Sequence, residues 1–139
     1  MPVENLARSD VITATTETSV TELATTMEQQ NVGSIVITET GTPVGIVTDR
    51  DLVVRVLAGQ ADQDETAENV MSGDIHTIDS GSGFYQAAEL MREHGVRRIP
   101  VCDADDELVG IITADDMTEL LADEHQQLAD VIRAQRPPY

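Results

Sequence analysis

Lysine and tryptophan are both absent from this 139-residue chain, and aromatic residues make up 2% of it. Its 26 acidic residues face only 8 basic ones, all of them arginine, so the formal net charge is -18 at pH 7. A surface this negative repels phosphate backbones and anionic lipid headgroups. We therefore predict no nucleic-acid partner and no membrane partner.

Other scarcities narrow the class of protein further. Cys102 is the only cysteine, so no internal disulfide can form. No apolar run approaches the roughly 20 residues that a spanning helix needs. The first ten residues carry neither a basic start nor an apolar stretch, so no export signal is visible. These features together predict a cytoplasmic location.

The lack of lysine beside abundant aspartate and glutamate predicts adaptation to very high salt. At about 1 M salt the Debye length falls to about 3 Å, which screens much of the self-repulsion of such a chain. We expect a protein of an extreme halophile, and the alternative is an ordinary acidic cytosolic protein. Hydrophobic residues make up 40% of the sequence, a share typical of a folded chain rather than a disordered one.

An internal repeat organises the sequence. A shift of 64 residues superposes Thr13 on Thr77 and Met27 on Met91, and a shift of 65 then superposes the segments 44–52 and 109–117. These segments read VGIVTDRDL and VGIITADDM. Self-similarity of this density, with matching hydrophobic periodicity around it, indicates two copies of one structural unit.

Each copy predicts the order β-α-β-β-α. The first helix opens at Ser19 with Glu22 in a capping-box spacing, and Asn31 and Gly95 suit the left-handed residue that ends a helix. The predicted strands are Asp10–Thr13, Ser34–Thr38 and Pro43–Val47 in the first copy, and Asp74–Thr77, Ile99–Cys102 and Leu108–Ile112 in the second. A helix over Asp49–Ala58 closes the first copy, and one beginning at Ala114 closes the second.

We divide the chain into repeat 1 (1–60), a polar linker (61–69), repeat 2 (70–123) and a C-terminal helical tail (124–139). A unit of roughly 55 residues buries too little surface to be stable alone. The predicted fold is therefore α/β (α+β), with two repeats packed with pseudo-twofold symmetry around one shared core. In the tail, Leu128, Val131 and Ile132 continue a helical spacing up to Pro137.

The two copies resemble tandem cystathionine β-synthase (CBS) domains. The resemblance rests on the segments GIVTDRD and GIITADD, each closing a β-α-β-β-α unit, and on VRRIPV at residues 96–101. It covers nearly the whole chain. It implies a regulatory module rather than an enzyme, with adenosine-containing ligands (AMP, ADP, ATP or S-adenosylmethionine) bound in clefts between the repeats. It also implies a homodimer.

By this resemblance, Asp51 and Asp116 bind ribose, and Thr48 and Thr113 lie nearer the phosphate. The chemistry is suitable, because a carboxylate accepts two hydroxyl hydrogen bonds and a helix N-terminus offers free N–H groups to an anion. The alternative is that T-x-x-D simply caps a helix, which stabilises it without any ligand. The two roles are compatible.

Arg97 and Arg98 are adjacent on a predicted strand and therefore point to opposite faces. At least one is predicted to contact phosphate, and the alternative is a surface ion pair. Gly33 and Ser34 occupy the matching positions in the first copy, which makes the clefts unequal. We expect the arginines to equip the cleft of Asp116, while the other relies on Arg50, takes an arginine from across the pseudo-dyad, or stays empty.

The family's adenine-binding positions fall on two apolar segments and on one strand. The predicted residues are Ile12 and Thr13, Ile75 and Thr77, and Ile99 with Pro100. Because Pro100 lacks a backbone donor, we expect it at a sheet edge where a cleft can open. Plain core packing is the alternative, especially for Ile12 and Ile75.

The rest of the sequence offers little chemistry. The three histidines and Cys102 show no metal-ligand spacing, and no nucleophile with a poised base is evident, so we predict no metal, no required cofactor and no catalytic residue. An adenine nucleotide would act as a regulatory ligand, read out by a separate, unidentified effector protein. The alternative function is a ligand-independent module that dimerises and docks on an enzyme or transporter.

Overall fold

The computed structural model describes residues 1–138 of the chain. Two β-α-β-β-α units follow one another, as the repeat predicts. The strands are β1 (Thr13–Thr15), β2 (Ser34–Glu39), β3 (Thr42–Thr48), β4 (Ile78–Asp79), β5 (Arg98–Cys102) and β6 (Leu108–Thr113). The helices are α1 (Val20–Gln30), α2 (Asp49–Asp51, continued by a π-helix over Leu52–Leu57), α3 (Ala67–Val70), α4 (Phe84–His94) and α5 (Ala114–Ala134), with a 3-10 turn at Val3–Asn5.

Each unit contains a three-stranded sheet with its second strand at the centre. The order is β1-β2-β3 in the first unit and β4-β5-β6 in the second. In both sheets the first pair is parallel and the second is antiparallel. The α+β fold of two repeats is thereby confirmed. The first strand of each unit was predicted too early: β1 begins at Thr13 rather than Asp10, and β4 at Ile78 rather than Asp74. The residues ahead of them line the clefts instead.

Local signals in the sequence correctly placed the helix ends. The side chain of Ser19 accepts a hydrogen bond from the Glu22 N–H at 3.2 Å, which caps α1. Asn31 and Gly95 end α1 and α4 with φ angles of 53° and 64°. This left-handed backbone is easiest for glycine and tolerated by asparagine. Both helices therefore end where the repeat alignment predicts.

Two helices differ from their predictions. The segment Asp49–Ala58 was predicted to be an α-helix, but after one turn it becomes a π-helix in which the Ala58 N–H donates to the Val53 carbonyl at 2.9 Å. The tail belongs to the same helix as the end of repeat 2, since α5 runs unbroken to Ala134. No helix within residues 1–138 has the length and apolarity required to cross a membrane.

The buried side chains form two clusters, so the prediction of one shared core is wrong. One cluster contains Leu23, Ile35 and Val47 of the first unit, and the other contains Ile99 and Ile112 of the second. Each cluster is completed by a segment that precedes the sheet of the other unit. Ala67 and Val70 join the first cluster, and Val3 joins the second. Each unit thus has its own core, and each core includes side chains from the segment that precedes the sheet of the other unit.

Backbone bridges show the pseudo-twofold relation directly. A first set of bridges pairs Pro2 with Gly83 and Arg8 with Ile111. A second set pairs Thr66 with Ser19 and Ser72 with Ile46. The residues in the second set are the repeat counterparts of those in the first. Each unit therefore receives an extended segment from the other one along its third strand. These segments form walls of two clefts between the units.

Candidate functional site

Two clefts open between the units, where β3 passes into α2 and β6 passes into α5. The first cleft is a cavity of about 320 Å³. Its walls come from both units, and its lining residues are Ile46, Thr48, Asp51, Ser72, Asp74, Ile75, His76, Val96, Arg97 and Arg98. A cavity of this size, with apolar walls and a few convergent polar groups, is typical of a small-molecule site.

The T-x-x-D motif of the first cleft forms a complete capping box. The Thr48 hydroxyl accepts from the Asp51 N–H at 3.2 Å, and the Asp51 Oδ2 accepts from the Thr48 N–H at 2.9 Å. The other carboxylate oxygen of Asp51, Oδ1, lies 3.8 Å from the Arg55 Nε, at the long end of an ion pair. Asp51 therefore caps the helix with one oxygen, and its residue lines the cavity while the second oxygen accepts no hydrogen bond among residues 1–138.

Arg55 ties this helix to the opposite wall of the cleft. Its guanidinium donates to the Val70 carbonyl at 2.8 Å and to the Met71 carbonyl at 3.1 Å. The next residue, Ser72, lines the cleft and exchanges two backbone hydrogen bonds with Ile46. The π-helix thus positions an arginine that holds the cleft wall in place, and π-helical turns are frequent at functional sites.

Arg97 and Arg98 line the first cleft, together with Thr48 and Asp51. The expectation that both equip the cleft of Asp116 is wrong for Arg97, which lines only the first cavity, whereas Arg98 lines both. The first cleft thus matches the alternative of an arginine taken from across the pseudo-dyad. The physical reason is the packing of the units, which places the start of β5 opposite α2. Arg97 is exposed and pairs with Asp115 at 3.0 Å, while Arg98 is half-buried and borders both cavities.

The apolar wall of the first cleft comes from Ile46, Ile75 and Val96. Beside them lies His76, whose ring stacks on that of His94 with centroids 3.5 Å apart and an interplanar angle of 12°. Ile75 belongs to this wall rather than to a core cluster. The first cavity thus combines apolar side chains, against which a planar ring can pack, with the two arginines.

The second cleft is a cavity of about 380 Å³. It is formed by repeat-equivalent segments of the two units, but its polar side chains differ from those of the first cleft. It is lined by Arg8, Asp10, Val11, Ile12, Gln30, Asn31, Val32, Gly33, Ser34, Val36, Arg98, Ile111, Thr113 and Asp115. Thr113 caps α5 by accepting from the Asp116 N–H at 3.1 Å. The Asp116 carboxylate, by contrast, binds Arg8: its Oδ1 accepts from the Arg8 Nε at 3.1 Å and from a terminal nitrogen at 2.8 Å.

The Arg8 pairing changes the titration of Asp116. Burial raises the pKa of Asp116, but the guanidinium of Arg8 and the neighbouring Thr113 lower it by more, so the pKa of this carboxyl lies below its ordinary value. The same pairing raises the pKa of Arg8. Asp116 Oδ2 is buried, and no hydrogen-bond partner for it lies within residues 1–138. An ionised carboxylate that is already paired thus lies beside the second cleft rather than in its lining.

Several predicted site residues lie outside both cavities. They are Thr13, Thr77, Arg50, Ile99, Pro100 and Asp116. Ile99 is buried in the second core cluster. Pro100 lies in the central strand of its sheet rather than at an edge, and β4 begins to pair with β5 only at Val101, one residue later. Its missing N–H is therefore tolerated without an open edge.

Sequence reasoning missed the residues that precede the first strand of each unit. Ser72 and Asp74 line the first cleft, and Arg8 and Asp10 line the second. The repeat alignment relates the two pairs by the same shift of 64, and that relation was the available signal. Metal-ligating side chains do not gather in groups of three within the described part of the chain. Burial raises the pKa of the Cys102 thiol.

Comparison with known protein families assigns the chain. The model of the CBS domain matches twice, at residues 3–58 and 67–123. The chain belongs to the CBS domain family. An uncharacterised protein of Methanopyrus kandleri is 36% identical over 120 residues, which are 85% of this chain and 61% of that protein. The CBS domain-containing protein YhcV of Bacillus subtilis is 32% identical over 115 residues, 83% of this chain and 81% of that one.

Solved CBS structures superpose on most of the chain. The CBS domain pair of protein MJ0100, crystallised with 5'-methylthioadenosine and S-adenosyl-L-methionine, has a TM-score of 0.79 and 26% identity, covering 89% of this chain and 98% of that one. The CBS domain protein PAE2072 from Pyrobaculum aerophilum, complexed with AMP, has a TM-score of 0.75 and 28% identity, covering 84% and 89%. These neighbours are similar to our CBS pair in both fold and repeat arrangement.

Proposed function

We propose that this CBS pair is a regulatory module that binds an adenosine-containing ligand in the first cleft. One observation carries the proposal: a single cavity brings together Asp51, Thr48 and two arginines with an apolar wall, and these groups come from opposite units. A ligand that contacts both walls would bias how the units pack, because its binding energy depends on their relative position.

The cavity offers a partner for each part of such a ligand. Asp51 Oδ1 can accept hydrogen bonds from ribose hydroxyls. The apolar wall of Ile46, Ile75 and Val96 can hold an adenine ring. Arg97 and Arg98 supply positive charge for a phosphate or a carboxylate, which an arginine binds through two parallel donors. In a chain of net charge -18 these local cations have to offset a general repulsion of anions.

The known structures support this ligand class. One similar CBS pair was solved with AMP and another with 5'-methylthioadenosine and S-adenosyl-L-methionine. These ligands share adenine and ribose and differ in charge at the 5' end. The shared part matches Asp51 and the apolar wall, so we infer that these positions determine the specificity for adenosine. We infer that the arginines determine the relative affinities for AMP, ADP, ATP and S-adenosylmethionine, because they interact with the charged 5' group.

Titration calorimetry in molar KCl with AMP, ATP and S-adenosylmethionine tests the proposal. We expect at least one ligand to bind, and Asp51→Asn to weaken it about 10- to 100-fold, because a hydrogen bond to a charged acceptor contributes about 1.5–3 kcal/mol. The matched control is Asp105→Asn in the β5–β6 turn, which removes the same charge away from the cleft. Binding of no adenosine ligand at millimolar concentration would exclude the function, and equal losses in the two variants would exclude the site.

A second candidate function is docking, because apolar side chains lie exposed on the C-terminal half of α5. Leu128, Val131 and Ile132 are 62%, 55% and 64% exposed, and they share one helical stripe. We expect deletion of residues 124–139 to convert a dimer into a monomer, measured as a halved mass by light scattering in molar KCl. Deletion of residues 137–139 alone is the control. An unchanged mass after the long deletion would count against this role for the tail.

A further inference from the structure

The two clefts differ in whether the aspartate of the T-x-x-D motif lines the cavity. Nine of the ten residues that line the first cleft have a repeat counterpart that lines the second, and the exception is Asp116, the counterpart of Asp51. The difference is not one of backbone, since both aspartates follow a capping threonine in the first turn of a helix. The cause must therefore lie in a neighbouring side chain.

That neighbour is Arg8, and its repeat counterpart in the first cleft is Ser72. The two have equivalent backbone positions: Arg8 exchanges hydrogen bonds of 2.9 Å with Ile111, and Ser72 exchanges bonds of 3.0 and 3.2 Å with Ile46. The serine side chain is too short to reach across its cleft, and Asp51 remains part of the cavity lining. The longer side chain of Arg8 spans its cleft and donates two hydrogen bonds to the Asp116 carboxylate.

The pairing leaves Asp116 with nothing to offer a ligand. Both Arg8 donors bind Oδ1, and Oδ2 is buried without a partner among residues 1–138. The Asp116 side chain is 11% exposed and that of Arg8 is 63% exposed, so the guanidinium covers the carboxylate from the solvent side. A ribose hydroxyl could reach the carboxylate only after the guanidinium had moved.

We propose that Arg8 closes the second cleft to ligands by occupying the Asp116 carboxylate rather than by filling the cavity, so that this CBS pair binds one adenosine-containing ligand rather than two. This inference rests on the proposed function of the first cleft and adds a residue that sets stoichiometry. It also reverses the expectation that the cleft of Asp116 is the better equipped one. Exchanging a single side chain between positions 8 and 72 is expected to exchange the open and closed states.

The reciprocal variants Arg8→Ser and Ser72→Arg test the proposal by titration calorimetry in molar KCl with the ligand that the wild type binds. We expect one site per chain in the wild type and two in Arg8→Ser. Ser72→Arg should bind at least tenfold more weakly, because the new arginine takes Asp51. In an Asp51→Asn background, Arg8→Ser should restore one site, located in the second cleft.

A readout without ligand keeps the test independent of the proposed function. Carbodiimide labelling of carboxylates, followed by mass spectrometry, should rise several-fold at Asp116 in Arg8→Ser, with Asp51 unchanged as the internal reference. Unchanged labelling of Asp116 would overturn the closure even if no adenosine ligand binds the wild type. Two sites in the wild type, or a single site in Arg8→Ser beside an intact first cleft, would overturn it while leaving the proposed function standing.

Discussion

Replacing Leu23 by alanine is expected to lower the free energy of unfolding by about 2–5 kcal/mol. Leu23 lies on the inner face of α1, is fully buried, and packs in the first core cluster. Truncation removes apolar contact and leaves a cavity that a tightly packed interior fills only in part. For a chain with a total stability of about 5–15 kcal/mol, this loss is a large fraction.

The cluster around Leu23 includes Ala67 and Val70, which precede the second sheet in the chain. Loosening it should therefore weaken both units together, and we expect a single unfolding transition at a lower denaturant midpoint in molar KCl. Leu57→Ala is the matched control, because that leucine is 76% exposed and its truncation should change stability by less than about 0.5 kcal/mol. Equal shifts for the two variants would contradict the proposed core.

The second large effect is expected at Gly45, in β3. A Cβ atom at this position would collide with the Met71 side chain and lie 3.1 Å from the Ser72 carbonyl oxygen. The side chain of Met71 can move, but the backbone of Ser72 is held by two hydrogen bonds to Ile46. A strand glycine of this kind marks the close approach of another backbone segment.

We expect Gly45→Ala to destabilise the protein by about 1–3 kcal/mol through overpacking. It should also weaken ligand binding, because displaced Ser72 is part of the wall of the first cleft. Thermal unfolding and titration calorimetry measure the two effects. Gly73→Ala, two residues beyond Met71, is the control, since nothing lies within 4 Å of a Cβ there. A Gly45→Ala protein with unchanged stability and affinity would show that the wall is not rigid.

The repeat alignment was the strongest predictor of this fold. It correctly predicted the element order of both units, the Ser19 cap of α1 and the left-handed ends at Asn31 and Gly95. These features depend on residues within one helical turn of each other, which is why a single sequence reveals them. The first strands were misplaced because the residues before β1 and β4 carry an apolar pattern that serves the clefts instead.

The candidate site was predicted in part. Thr48, Asp51, Ile75, Arg97 and Arg98 line one cavity, and their binding of a ligand stays a prediction. Their assignment to the first cleft could not be read from the sequence, because Arg98 lies 47 positions beyond Asp51 and joins it only through packing of the two units. The tertiary packing of the two units determines which cleft wall lies opposite which T-x-x-D motif.

The sequence alone determined the local chemistry: two capped T-x-x-D motifs, a chain of net charge -18, and a few arginines concentrated near those motifs. Only the tertiary structure decided how these parts combine. Packing of the units places the arginines of the second unit in the same cavity as the aspartate of the first. Val3 packs in the core cluster of the second unit, and Ala67 packs in that of the first. Arg8 binds Asp116, which lies 108 positions further along the chain. The physical reason is that helix caps and turns are satisfied by near neighbours, whereas a cleft is formed by surfaces that meet only when the units pack.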